Sequence, residues 1–152
     1  MADEICRRLM FSNESREKIV SMVLRHMDFI NFPKMRKSSK RRFLAEATID
    51  DELLLHRADC LASHKDLSTY ELACEALKDE REQNIAGDVL PKPFISGDDL
   101  LALGLKPGPH FKEILNAVFD EQLEQSFQSR DDAMVWLKDY LNRKANHAPL
   151  GR

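Results

Sequence analysis

The chain is poor in several features, and each shortage removes a class of protein. Cysteine is one. Cys6, Cys60 and Cys74 make an odd count with no CxxC spacing, so neither a disulfide frame nor a zinc site is indicated and the thiols fit a reducing compartment. No apolar run approaches the roughly 18–20 residues needed to cross a bilayer. The opening "MADEICRRLM" lacks the apolar stretch of a secretory signal. The expected setting is the cytoplasm, with no membrane partner. Enzymatic signatures are missing too: there is no nucleophile elbow, no phosphate-cradling GxxxxGK(S/T) and no HExxH. Nor is there an overall positive charge. The formal net charge is −3 over 152 residues, which excludes a globally basic nucleic-acid binder. Internal repeats and low-complexity runs are absent.

Strand signals are also scarce, and what remains is helical. Hydrophobic residues make up 43% and charged residues 32%, enough apolar material for a packed core. The pattern predicts an all-α fold of about eight helices. "SNESREKIVSMVLRHM" opens with Ser12 or Asn13 as N-cap and Glu14 in the first turn; Ile19, Val20, Val23, Leu24 and Met27 come next at the spacing of one buried face. Pro33 is expected to break that helix. Ser38 or Ser39 suits the cap of a short helix with Phe43, Leu44 and Ala47 inward. Asp50 suits the cap of the next, with Leu54, Ala58, Leu61 and Ala62 as its apolar stripe. Ser68 and Glu71 form a capping box ahead of Leu72, Ala73, Ala76 and Leu77. Periodicity lapses in "NIAGDVLPKPF", where Gly87, Pro91 and Pro93 mark the best boundary. Beyond it lie a Ser96–Asp99 capping pair and a helix with Phe111, Ile114, Leu115, Val118 and Phe119 on one side. A last helix from Ser129, again three residues before an acid (Asp132), buries Ala133, Trp136, Leu137, Tyr140 and Leu141. "NHAPLGR" reads as a frayed tail.

Two features suggest phosphate binding. "KMRKSSKRR", residues 34–42, holds six positive charges in nine positions and no negative one. Such a patch suits local phosphate contact, although a solvated helix start would carry the same charges for solubility. The second is "LGLKPGP". Gly104 suits the left-handed position that ends a helix, Pro107 and Pro109 stiffen the residues after it, and Gly108 permits close approach of another backbone. The next helix would then point free amides outward beside Lys106; a tight corner with no ligand would look alike.

Metal and carboxylate chemistry is less well supported. His56 and Asp59 lie one turn apart in "HRADCLASH", and His26 could join them only by tertiary approach. Two ligands do not make a site. The pairs Asp50–Asp51, Asp98–Asp99 and Asp131–Asp132 all sit at helix starts, where capping and the helix dipole account for them. No complete catalytic site emerges.

Several strings occur together and in order: "LMFSNESREKIVSMVLRHM", "MRKSSKRRFL", "LLLHRADCLASH", "ISGDDLLALGLKPGPHFKEIL" and "DEQLEQSFQSRDDAMVWL". Over roughly residues 8–141 the chain resembles the C-terminal half of the bacterial tRNA nucleotidyltransferase/poly(A) polymerase family. The resemblance implies a division of labour. An N-terminal catalytic head adds nucleotides to an RNA 3′ end, using carboxylate-held magnesium and a nucleoside triphosphate. The helical neck, body and tail grip the RNA. The head's glycine-rich turn and Asp-x-Asp ligands do not occur here, so no catalytic residue or cofactor is expected in this chain. Residues 1–88 would be the helical body, the distal part of an HD-like RNA-binding region, and 89–152 the tail. In this frame Asp59 and His26 resemble HD-type residues whose His-Asp doublet lies upstream. Met1 falls inside what resembles a continuous body, which suggests an excised piece.

The resemblance gives both features one purpose. Lys34, Arg36, Lys37, Lys40, Arg41 and Arg42 would contact one run of RNA phosphates, and Lys106 in the Gly104–Pro107–Gly108–Pro109 corner another. Two other readings remain open: an HD-type phosphohydrolase fragment using His26, His56 and Asp59, or a structural or dimerisation module presenting Trp136 and Tyr140.

Overall fold

A computed structural model describes residues 1–83 and 90–147, with side chains to residue 144. Among these residues the chain forms eight α-helices and one 3-10 helix, with no strand. The all-α expectation is borne out. Contacts divide the chain into two units, Met1–Leu90 and Pro91–Arg152. No helix of the described residues is long and apolar enough to cross a membrane.

The first unit holds α1 (Ala2–Arg8), α2 (Asn13–Arg25), the 3-10 helix (His26–Lys34), α3 (Lys37–Leu44), α4 (Ile49–Ser63) and α5 (Ser68–Gln83). Its core gathers Phe29, Phe32, Phe43, Leu44, Ile49, Leu53, Ala73 and Leu77. Phe29 meets the Phe43 ring edge-on at 4.9 Å and 84°, an arrangement that adds about 1 kcal/mol to simple burial. Ser12 caps α2 by accepting from the Ser15 amide, as its residue type predicts. The helix turns into 3-10 geometry at His26, earlier than Pro33, which sits inside the 3-10 segment.

Five expectations for this unit fail. Ile19 and Val20 of α2 are half-buried, but Val23, Leu24 and Met27 are exposed, because α2 packs mainly against α1 and the 3-10 helix. In α4 the buried face is Ile49, Glu52, Leu53, His56 and Cys60, whereas Leu54, Ala58, Leu61 and Ala62 are exposed. The polar residues on that face are only partly satisfied, and Glu52 Oε2 is buried without a hydrogen bond. Thr48 Oγ1 donates to Glu52 at 2.7 Å, and Arg25 approaches its other oxygen at 3.7 Å. Ser38 and Ser39 lie inside α3, whose N-cap is Arg36, and Ala47 lies exposed beyond its end. Asp50 caps nothing; it binds Arg81 through two hydrogen bonds, and that guanidinium holds its carboxyl below the usual range. Ser68 is the first residue of α5, where Asp66 accepts its amide at 2.9 Å.

The second unit contains α6 (Gly97–Ala102), α7 (Pro109–Leu123) and α8 (Arg130–His147) around Ile95, Leu100, Ile114, Val118, Phe127, Ala133 and Leu137. Here the caps follow the sequence. Asp99 accepts from the Ser96 amide at 2.8 Å, and Ser129 Oγ accepts from the Asp132 amide at 3.2 Å. The predicted faces of α7 and α8 are inward, with Trp136, Tyr140 and Leu141 half-buried. Buried Gln122 ties the chain start of this unit to α7: its amide accepts from Phe94 N at 2.9 Å and donates to Lys92 O at 2.8 Å. The lapse at 84–94 lies partly outside the described residues, Gly87 included, as does the tail beyond His147.

Candidate nucleic-acid interface

The basic stretch of the first unit divides by burial. Lys34 ends the 3-10 helix, Met35 and Arg36 are extended, and α3 begins at Lys37. This bend projects Lys34, Arg36 and Lys37 into solvent. Neither Lys34 nor Arg36 takes part in an ion pair among the described residues. Lys40 and Arg42 are half-buried, and the Lys40 ammonium lies 5.4 Å from the Phe32 ring centre.

Arg41 is different. Its residue is 6% exposed, and its Nε and Nη2 reach Glu80 Oε2 at 2.7 and 2.6 Å. It points into the α3–α5 contact and not toward an external phosphate, which corrects its place in the expected phosphate run. Nothing in the run of lysines and arginines distinguishes it; its partner lies 39 residues away.

The corner of the second unit is built as its glycine predicts. Gly104 has φ +83°. The Leu105 amide donates to Leu100 O at 3.1 Å and the Gly104 amide to Leu101 O at 2.9 Å, the paired bonds that close a helix through a left-handed residue. Pro109 takes the first position of α7 behind Gly108, and no side chain caps that start. Lys106 and Pro107 are exposed. Gly108 has an extended φ of 177°. The expected close approach of another backbone does not occur; the nearest atom to a β-carbon there would be His110 Cε1, at 2.8 Å. Lys106 belongs to a different unit from the 34–42 stretch.

Sequence spacing missed a cleft beside this corner. It holds about 490 Å³ and is lined by Leu103, Leu105, Lys138, Leu141 and Asn142. Lys138 and Asn142 resemble any exposed polar pair one turn apart on a helix, so no pattern singles them out.

The histidines and Asp59 do not assemble. Among the described residues no group of three or more His, Cys, Asp and Glu side chains is placed to hold a metal. His56 is buried and stacks on Phe29 at 4.5 Å and 9°. Its Nε2 lies 3.6 Å from Cys60 Sγ. Burial lowers its pKa, Asp59 opposes that shift, and His64 and His26 reinforce it. Burial likewise raises the Cys60 thiol, so both groups stay neutral near pH 7. His26 Nδ1 donates to Val23 O at 2.6 Å, and Asp59 is exposed.

Among curated proteins, the chain is similar to the A-adding tRNA nucleotidyltransferase of Halalkalibacterium halodurans, at 38% identity over 53 residues. That span is 35% of this chain and 12% of the relative's own length. No family model matches the chain, and no solved structure matches it.

Proposed function

We propose that this chain is the RNA-gripping helical portion of a tRNA nucleotidyltransferase/poly(A) polymerase family protein. It positions an RNA 3′ end for nucleotide addition by an N-terminal catalytic head. The similarity to an A-adding tRNA nucleotidyltransferase carries this reading. The exposed Lys34, Arg36 and Lys37 support it, because they offer cations at a bend where a polynucleotide backbone can lie. Lys106, exposed on the rigid corner of the second unit, is a further phosphate contact. A-form RNA is held mainly through backbone and shape, so contacts of this kind serve many tRNAs alike.

Bond making belongs to the head, with its magnesium and nucleoside triphosphate. The residues here do not fit a catalytic metal: His56 is packed on Phe29 and faces Cys60 Sγ. The test is fluorescence anisotropy of the purified chain with a labelled tRNA acceptor hairpin. We expect the double variant Lys34→Glu/Arg36→Glu to weaken binding at least tenfold, each lost phosphate contact removing part of a salt-dependent term. Unchanged affinity would remove the basic stretch from the interface.

A further inference from the structure

Resting on the RNA reading above, the cleft between the corner and α8 has a chemistry which that reading does not use. Its volume of about 490 Å³ falls in the range of small-ligand sites, roughly 300–1,000 Å³. Leu103, Leu105 and Leu141 form an apolar floor, each half-buried against the unit's core. Lys138 and Asn142 stand on the rim, exposed, with no ion pair or hydrogen bond among the described residues. No acidic side chain lines the cleft. Lys106 follows Leu105 directly in the chain and is exposed as well.

Each part selects for a different part of a ligand. A leucine floor takes an uncharged group with an apolar face. The amide of Asn142 takes an edge that carries a donor beside an acceptor. The ammonium groups take an anion. One nucleotide supplies all three, with a planar base, a hydrogen-bonding base edge and a phosphate. Within a duplex the base faces are covered by neighbouring bases, so only an unstacked nucleotide can present one to the floor. The site is also held in place beforehand. Leu103 and Leu105 flank Gly104, whose two helix-closing bonds fix their backbone, and Pro107 restricts the chain beyond Lys106.

We infer that this cleft binds one unstacked nucleotide of the RNA. Its base lies on Leu103, Leu105 and Leu141, its edge meets Asn142, and its phosphate lies between Lys138 and Lys106. The test compares two labelled hairpins of equal length and charge. In one a single adenosine is extruded from the stem; in the other every stem nucleotide is paired. The chain should bind the extruded hairpin about tenfold more tightly, the discrimination expected of one good base contact. Asn142→Ala and Lys138→Gln should each bring the ratio toward one, with thermal melting checking that both variants fold. Lys34→Glu/Arg36→Glu should weaken both hairpins and leave the ratio intact. Equal affinities for the two hairpins, or a preference that survives both cleft variants, would overturn the inference while leaving RNA binding in place. Failure of both hairpins to bind at low salt would instead overturn the RNA reading, and this site with it.

Discussion

Arg36 and Arg41 stand five positions apart in one basic stretch and do opposite work. Arg41 is closed against Glu80. Removing it leaves a largely buried carboxylate without its guanidinium, so Arg41→Ala should lower stability by about 3 kcal/mol. Arg36 is exposed, and Arg36→Ala should cost under about 0.5 kcal/mol while weakening RNA binding. Urea midpoints and anisotropy on the same two variants separate the roles; a stable Arg41→Ala protein would contradict the assignment. His56 gives the first unit a pH dependence. Its folded pKa is depressed, first by burial, while the unfolded chain takes the proton near the ordinary value of about 6.5. Below that pH the unfolded state binds more protons, so stability is full above it and falls as pH drops toward the lower folded value. The urea midpoint should be lower at pH 5.5 than at pH 7.5, and His56→Leu should flatten most of that difference.

At the level of the element, chain reversals show where sequence and structure agree. Gly104 is at φ +83°, and a β-carbon there would meet nothing within 4 Å. Gly104→Ala therefore costs backbone conformation alone, about 1 kcal/mol. Met10, Lys65 and Gln125 also have positive φ, at 57°, 60° and 63°. Each comes just after the end of a helix, α1, α4 and α7, where left-handed geometry usually selects glycine. Met10→Gly, Lys65→Gly and Gln125→Gly should each raise stability by about 1 kcal/mol, read as higher midpoints in chemical denaturation. These three corners could not be anticipated, because their residues do not prefer the conformation they adopt. Ser12, the Ser96–Asp99 pair and Ser129 could, because a hydroxyl or carboxylate beside free helix amides has an obvious local partner. The face of α4 could not. Glu52 and His56 are polar, yet Thr48, Arg25 and Phe29 receive them inside. Periodicity reports apolar positions, and it gives the wrong phase when distant partners make polar burial possible.

At the level of the molecule, overall charge conceals local charge. The chain is net negative at −3, and several of its acids are engaged with its own cations: Asp3 with Arg7 and Arg16, Asp51 with Lys18, Glu46 with Arg25, Glu113 with Lys144. Lys34 and Arg36 have no such partner among the described residues. Local cations left without an acidic partner are what the proposed RNA contact requires of a net-negative chain. The same contrast bears on what was legible: the cluster at 34–42 is visible in the sequence, whereas its buried member and the cleft at Lys138 and Asn142 depend on tertiary approach.

The most direct measurement is the affinity of the purified chain for a tRNA acceptor hairpin across a series of monovalent salt concentrations, with and without Lys34→Glu/Arg36→Glu. The account predicts a linear fall of log affinity with log salt, steeper by roughly 0.7–0.9 for each phosphate neutralised, and a shallower line for the variant. A flat line for the unmodified chain, or two parallel lines, would contradict it.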